Sequence, residues 1–184
     1  MNLVRFLILL LFVTSAQSKD FEGLFGFKLN DSLLNYVSID HIQDPTNRVR
    51  HNETNTGKYF DMFIPGEQFK KNPLLTTYYV TFDHKRNTIE QVIAYRTVEN
   101  EAICSALKNA FRNEMESEFD LLFENITKQI PMANIVSDRA LTKDEGRLEI
   151  QCAVHKRGNW VNLQVIASTK QIYDDIRAYY HNNP

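Results

Sequence analysis

Two cysteines, Cys104 and Cys152, are the residues of this chain whose chemistry is easiest to constrain. Cys104 follows Ile103 and precedes Leu107 and Phe111, so it projects from the apolar side of a helix. Cys152 is in phase with Leu148, Ile150 and Val154, so it faces the covered side of a strand. Two inward thiols on facing layers favour a structural disulfide. The rival is a nucleophilic Cys104 with His155 as its base. A reactive thiolate needs an exposed, electropositive setting, which an apolar face does not supply.

Five histidines, His41, His51, His84, His155 and His181, are scattered with no pair at helical i, i+4 spacing and no cysteine or carboxylate at metal-ligand spacing. His41 and His51 share a polar stretch with Asp40, Asp44 and Glu53. That stretch reads as a solvated loop in which replacing both histidines leaves folding nearly unchanged. The carboxylates invite pairing on paper: Asp174-Asp175, Glu114, Glu116 and Glu118, and Asp144-Glu145. Adjacent or i, i+2 acids do not converge on one substrate atom, and they read as solvated faces or helix-start residues. Nucleophile elbows, phosphate-binding glycine loops and the His-Glu-x-x-His helix are absent from the sequence. No catalytic residue, no metal ligand and no cofactor site is assigned. The remaining chemistry is aromatic: 12 Phe and 8 Tyr, with Tyr78-Tyr79 in a strand, one of the two facing outward.

These residues need a scaffold. Asn30-Asp31-Ser32 offers caps to a short helix through Leu33, Leu34 and Val37. Tyr59–Ile64 is a strand closed by Pro65-Gly66. Leu75–Phe82 and Ile89–Tyr95 form a hairpin around His84-Lys85-Arg86-Asn87. Asn100 caps a long helix whose stripe of Ile103, Leu107, Ala110, Phe111, Met115 and Leu122 runs to about Asn125, with Lys108, Arg112, Glu116 and Glu118 mainly on the wet side. Residues 40–57 and 129–146 read as irregular links. A second hairpin follows, with strict alternation over Leu148–Val154 and Val161–Ala167, then a last helix carrying Ile172, Ile176, Tyr179 and Tyr180. The fold expected is α+β: an antiparallel sheet of about five strands with helices packed on one face, in an order that allows two ββα units.

Residues 1–18 read as a cleavable signal peptide: Arg5, an apolar run Phe6–Val13, and Ala16-Gln17-Ser18 before Lys19. The run is too short to serve as an uncleaved single-pass anchor, so no stable membrane anchor is expected after cleavage. Residues 19–184 are then expected to form one exported domain, in a periplasm or outside the cell, where a disulfide persists. With 21 Lys+Arg against 23 Asp+Glu there is no basic face for nucleic acid. Sequons at Asn30, Asn52 and Asn125 read as chance matches in an Asn-rich chain. The segment Gly26-Phe27-Lys28-Leu29-Asn30-Asp31-Ser32-Leu33 resembles the short helical openings of envelope assembly modules, over too few residues to define a family. The reading that follows is a binding or envelope-interaction module for a protein or small-molecule partner. The alternatives are an enzyme with its site in loops 40–57 or 129–146, or a secreted effector or inhibitor.

Overall fold

A computed structural model describes residues 20–51, 57–64, 70–130, 132–158 and 160–182. The signal segment, its cleavage site and the sequon residue Asn52 lie outside them. The chain enters through a two-residue pair, β1 (Gly23–Leu24) and β2 (Phe27–Lys28), and a 3₁₀ turn at Leu33–Asn35 capped by Ser32. Then come α1 (Ile39–Gln43), β3 (Arg48–Arg50), β4 (Tyr59–Phe63), β5 (Thr77–Asp83), β6 (Thr88–Val98) and α2 (Glu101–Phe119). The second half runs β7 (Phe123–Gln129), β8 (Ala133–Leu141), β9 (Arg147–His155), β10 (Val161–Ser168) and α3 (Lys170–Asn182).

Local chemistry accounts for the joints. Asp83 accepts the backbone N–H groups of Lys85 (2.9 Å) and Arg86 (3.1 Å), and Asn87 takes the positive φ that closes the β5–β6 hairpin. Asn100 accepts the Ile103 N–H at 2.9 Å to start α2. The helix stops at Phe119, because Asp120 adopts the left-handed conformation and returns its N–H to Glu116. Leu122, placed on the helical stripe from sequence, is therefore off the helix and 89% exposed.

β3 to β10 form one antiparallel sheet in the order β3-β4-β5-β6-β10-β9-β8-β7. The fold is thus mostly β, with eight strands where about five were expected. The links that read as irregular hold two of the additional strands, and the third, β7, begins where the long helix was expected to continue to about Asn125. Residues 40–51 contain most of α1, a 3₁₀ turn and β3, and 129–146 contains β8. These strands lack apolar alternation for a physical reason. β7 is an edge strand wetted on both faces, while β8 buries Ser137, Asp138 and Arg139, which pair with polar partners instead of packing greasily.

Register sorts the side chains into two faces. One carries Met62, Val80, Phe82, Val92, Ala94, Leu148, Ile150, Cys152, Leu163 and Val165, in one cluster with Phe111 and Met115 of α2 and with Phe27, Leu33 and Val37 of the opening segment. Cys104 of α2 is bonded to Cys152 of β9, Cα–Cα 6.0 Å, and both are buried. The helix also brings Lys108, expected on the wet side, into a buried ion pair with Asp138 of β8.

α3 lies on the other face. Its Tyr173 ring sits under the guanidinium groups of Arg147 (4.2 Å) and Arg139 (5.7 Å), and its Asp175 bonds Tyr59. Arg139, Arg147 and Tyr59 all point away from the Cys152 face by strand alternation. This corrects both the one-faced helix layer and the paired ββα units. The central antiparallel neighbours β6 and β10 are related by an axis normal to the sheet, which would keep both helices on one face. The helices take opposite faces because β10 ends in polar Ser168 and Thr169. The Thr169 hydroxyl bonds buried Glu90, the extra residue of a β6 bulge, at 2.6 Å. Among the described residues no helix is long and apolar enough to cross a membrane.

Candidate binding face on the polar side of the sheet

The face that carries α3 is built in cross-strand rows. In the first row Asp61, Thr81, Gln91 and Ser168 stand opposite one another on β4, β5, β6 and β10. The Thr81 hydroxyl donates to Asp61 at 2.6 Å, Gln91 Nε2 donates to Ser168 at 2.8 Å, and His51 Nδ1 lies 3.0 Å from the Asp61 carboxylate. His51, Thr81, Gln91 and Ser168 are all buried, so this is a hydrogen-bonded polar layer where a core would ordinarily be apolar. His51 was expected in a solvated loop, but it is buried and paired. Replacing His51 is therefore expected to cost stability, because it opens a void and leaves Asp61 with Thr81 as its remaining partner in the row.

The next rows are more open. Phe63, Tyr79, Ile93, Ile166, Glu149 and Arg139 form the second, with Arg139 held by Glu149 at 3.1 Å. Thr77, Tyr95, Gln164 and Gln151 form the third, the two glutamines bonded to each other. Phe63, Tyr79 and Tyr95 make a ring ladder with centroids 5.7 and 6.4 Å apart. In the fourth row Thr97 donates to Asn162 at 2.9 Å, and Asn162 reaches His155 Nε2 at 3.2 Å. Trp160 stacks on His155 with centroids 5.1 Å apart. Gly158 makes that stack possible, since a Cβ there would fall 1.5 Å from the indole. Phe63 is 57% and Trp160 46% exposed. The two aromatic clusters bracket an amide-rich strip that crosses from β4 to β9, about 19 Å at the usual strand spacing.

No family model, curated protein or solved structure matches this chain.

His51 and Asp61 are the nearest thing to an acid–base pair. The nearby hydroxyl of Thr81 gives its proton to the carboxylate and not to the imidazole, which is the wrong order for an activated nucleophile. The other histidines do not join them. His41 contacts Asn47, His84 packs on Phe60, and His181 lies in the last turn of α3. Among the described residues no group of three or more His, Cys, Asp or Glu could hold a metal. Cys104 is bonded and buried, so it has no thiolate for His155 to activate. Sequence reasoning missed Asp61, Thr81, Gln91 and Ser168. Their signal was alternation: each is polar on a strand whose other side is apolar.

α3 is clasped to this face by charge. Asp175 accepts from Tyr59 (2.6 Å) and Lys58 (2.9 Å). Burial alone would raise the Asp175 pKa, but those two hydrogen bonds and the Lys58 charge outweigh it and hold the carboxyl below its ordinary value. Burial, followed by the bond to Asp175, pushes the Tyr59 phenol upward. A carboxyl whose folded pKa lies below the unfolded one stabilises the fold above about pH 4, and that stabilisation is lost as pH falls through the lower folded value. Urea unfolding of the wild type and Asp175→Asn should therefore give midpoints that differ at neutral pH and converge in acid. A gap that persists unchanged at low pH would show that the clasp is not electrostatic.

Proposed function

We propose that the mature protein is an exported binding module, stapled by its disulfide, that holds a protein or small-molecule partner on the polar face of its sheet beside α3. The observation that carries this reading is the distribution of the aromatics. The core closes on the other face, yet Phe63, Tyr95 and Trp160 stand on this one without being needed to bury it. Aromatic rings around satisfied amides present flat apolar area and oriented hydrogen-bonding groups at little entropic cost, which suits recognition. Near-neutral charge favours a partner recognised by shape and hydrogen bonds over a polyanion. Export to a periplasm or the cell exterior is supported by the signal-like N-terminus and by the disulfide.

The test compares capture of partners from the native exported fraction by three tagged mature chains: wild type, the face variant Tyr95→Ala with Gln164→Ala, and a control at Glu114 on the outer side of α2. Loss of a partner with the face variant alone supports the reading. Equal capture by all three moves the function to another surface. An enzyme centred on His51 and Asp61 would instead lose turnover in His51→Gln while the face variant kept it.

A further inference from the structure

Among the described residues the sheet has two open edges, β3 and β7, and they are unlike. β3 spans three residues, short enough to blunt an edge by itself. β7 spans seven, contains no proline and pairs with β8 without a bulge from Phe123↔Ala140 to Gln129↔Asn134. A long flat edge strand presents a row of outward backbone N–H and C=O groups, ready to accept another strand.

We propose that this edge is a dimer interface, in which β7 pairs antiparallel with β7 of a second copy about a two-fold axis at Ile126. The strand is complementary to itself in that register. Glu124 stands opposite Lys128 of the other copy and Lys128 opposite its Glu124, while Ile126 meets Ile126 and Asn125 meets Thr127. One residue beyond each end, Leu122, 89% exposed, meets Ile130, 41% exposed. Residues 124, 126 and 128 share one face by alternation, and 122 and 130 continue its parity. That face therefore carries a symmetric series: apolar, charge pair, apolar, charge pair, apolar. Moving the axis to Asn125 or Thr127 sets Ile126 against Glu124 or Lys128 and leaves no opposite-charge pair, so the charges select the register as well as the partner. A self-complementary patch is what a two-fold interface requires. Pairing two copies this way joins their sheets into one, covers the exposed leucines and isoleucines, and leaves the aromatic face beyond β9 free.

Sedimentation equilibrium of the mature protein tests this. The wild type is expected to dimerise. Glu124→Lys and Lys128→Glu each turn both symmetry-related pairs from attraction to repulsion, and each should raise the dissociation constant roughly thirty-fold. Mixing the two variants should restore a dimer, because the chain with two lysines then faces the chain with two glutamates. Both side chains are exposed, and circular dichroism with an intact disulfide checks that each variant is folded. A wild type that stays monomeric, a dimer indifferent to both reversals, or a mixture that fails to reassociate would each overturn the proposal.

Discussion

Replacing Cys104 or Cys152 by serine is expected to lower stability by about 4 kcal/mol, with the double replacement costing little more than either alone. The bond joins residues 48 apart, α2 to β9, and the chain-entropy model assigns that value to closing a loop of this length in the unfolded chain. Near-equality of the single and double variants follows because each removes the same bond. A thiol with a function of its own would break that equality. One position would abolish an activity while the fold held, and the other would matter little. Urea midpoints of the three variants, with mass mapping of the unreduced wild type, decide between these outcomes. Both thiols found free in protein from an oxidising compartment would remove the basis of the prediction.

The second large effect is expected at Lys108. Its ammonium meets the Asp138 carboxylate inside the α2–β8 contact, with side chains 6% and 1% exposed, and Asn125 donates to the other carboxylate oxygen at 2.9 Å. Removing Lys108 leaves the buried Asp138 carboxylate with Asn125 and the more distant guanidinium of Arg112 at 4.0 Å, so Lys108→Met should cost about 3 kcal/mol, the low end for breaking a buried pair. Lys108→Met with Asp138→Leu should recover most of that loss, since replacing both charges by apolar groups of similar volume is often neutral. The comparison separates charge from packing. If the single variant is destabilised no more than the double, the pair is solvated in solution and contributes little.

The parts of the fold legible in the sequence are those set by neighbours in the chain. The alternation of Leu148, Ile150, Cys152 and Val154 against Val161, Leu163 and Val165 specifies the β9–β10 hairpin and its buried side. Asn100 and the stripe through Phe111 and Met115 specify α2, and those two phases together place Cys104 opposite Cys152. The candidate face was visible only in outline, as an outward tyrosine beside the sheet. Tyr79 is that residue, since Tyr78 is buried on the opposite side. Its companions Asp61, Thr81, Gln91 and Ser168 come from four strands up to 107 positions apart, from 61 to 168, and no local period links them.

Most secondary elements and the cysteine pair are readable from this sequence because each rests on side-chain period or capping within a few residues. Tertiary structure alone decides that β7 and β8 are strands, since their polar side chains are stabilised by distant partners: Asp138 by Lys108, and Arg139 by Glu149. It also decides that α3 crosses to the polar face, where Tyr59 and Lys58 hold Asp175 from the far end of the chain. Hydrophobic phase says which side of an element is covered. Which element covers it, and whether a polar face is closed by a helix or left open for a partner, depends on ion pairs and hydrogen bonds between residues that meet only after the chain has folded.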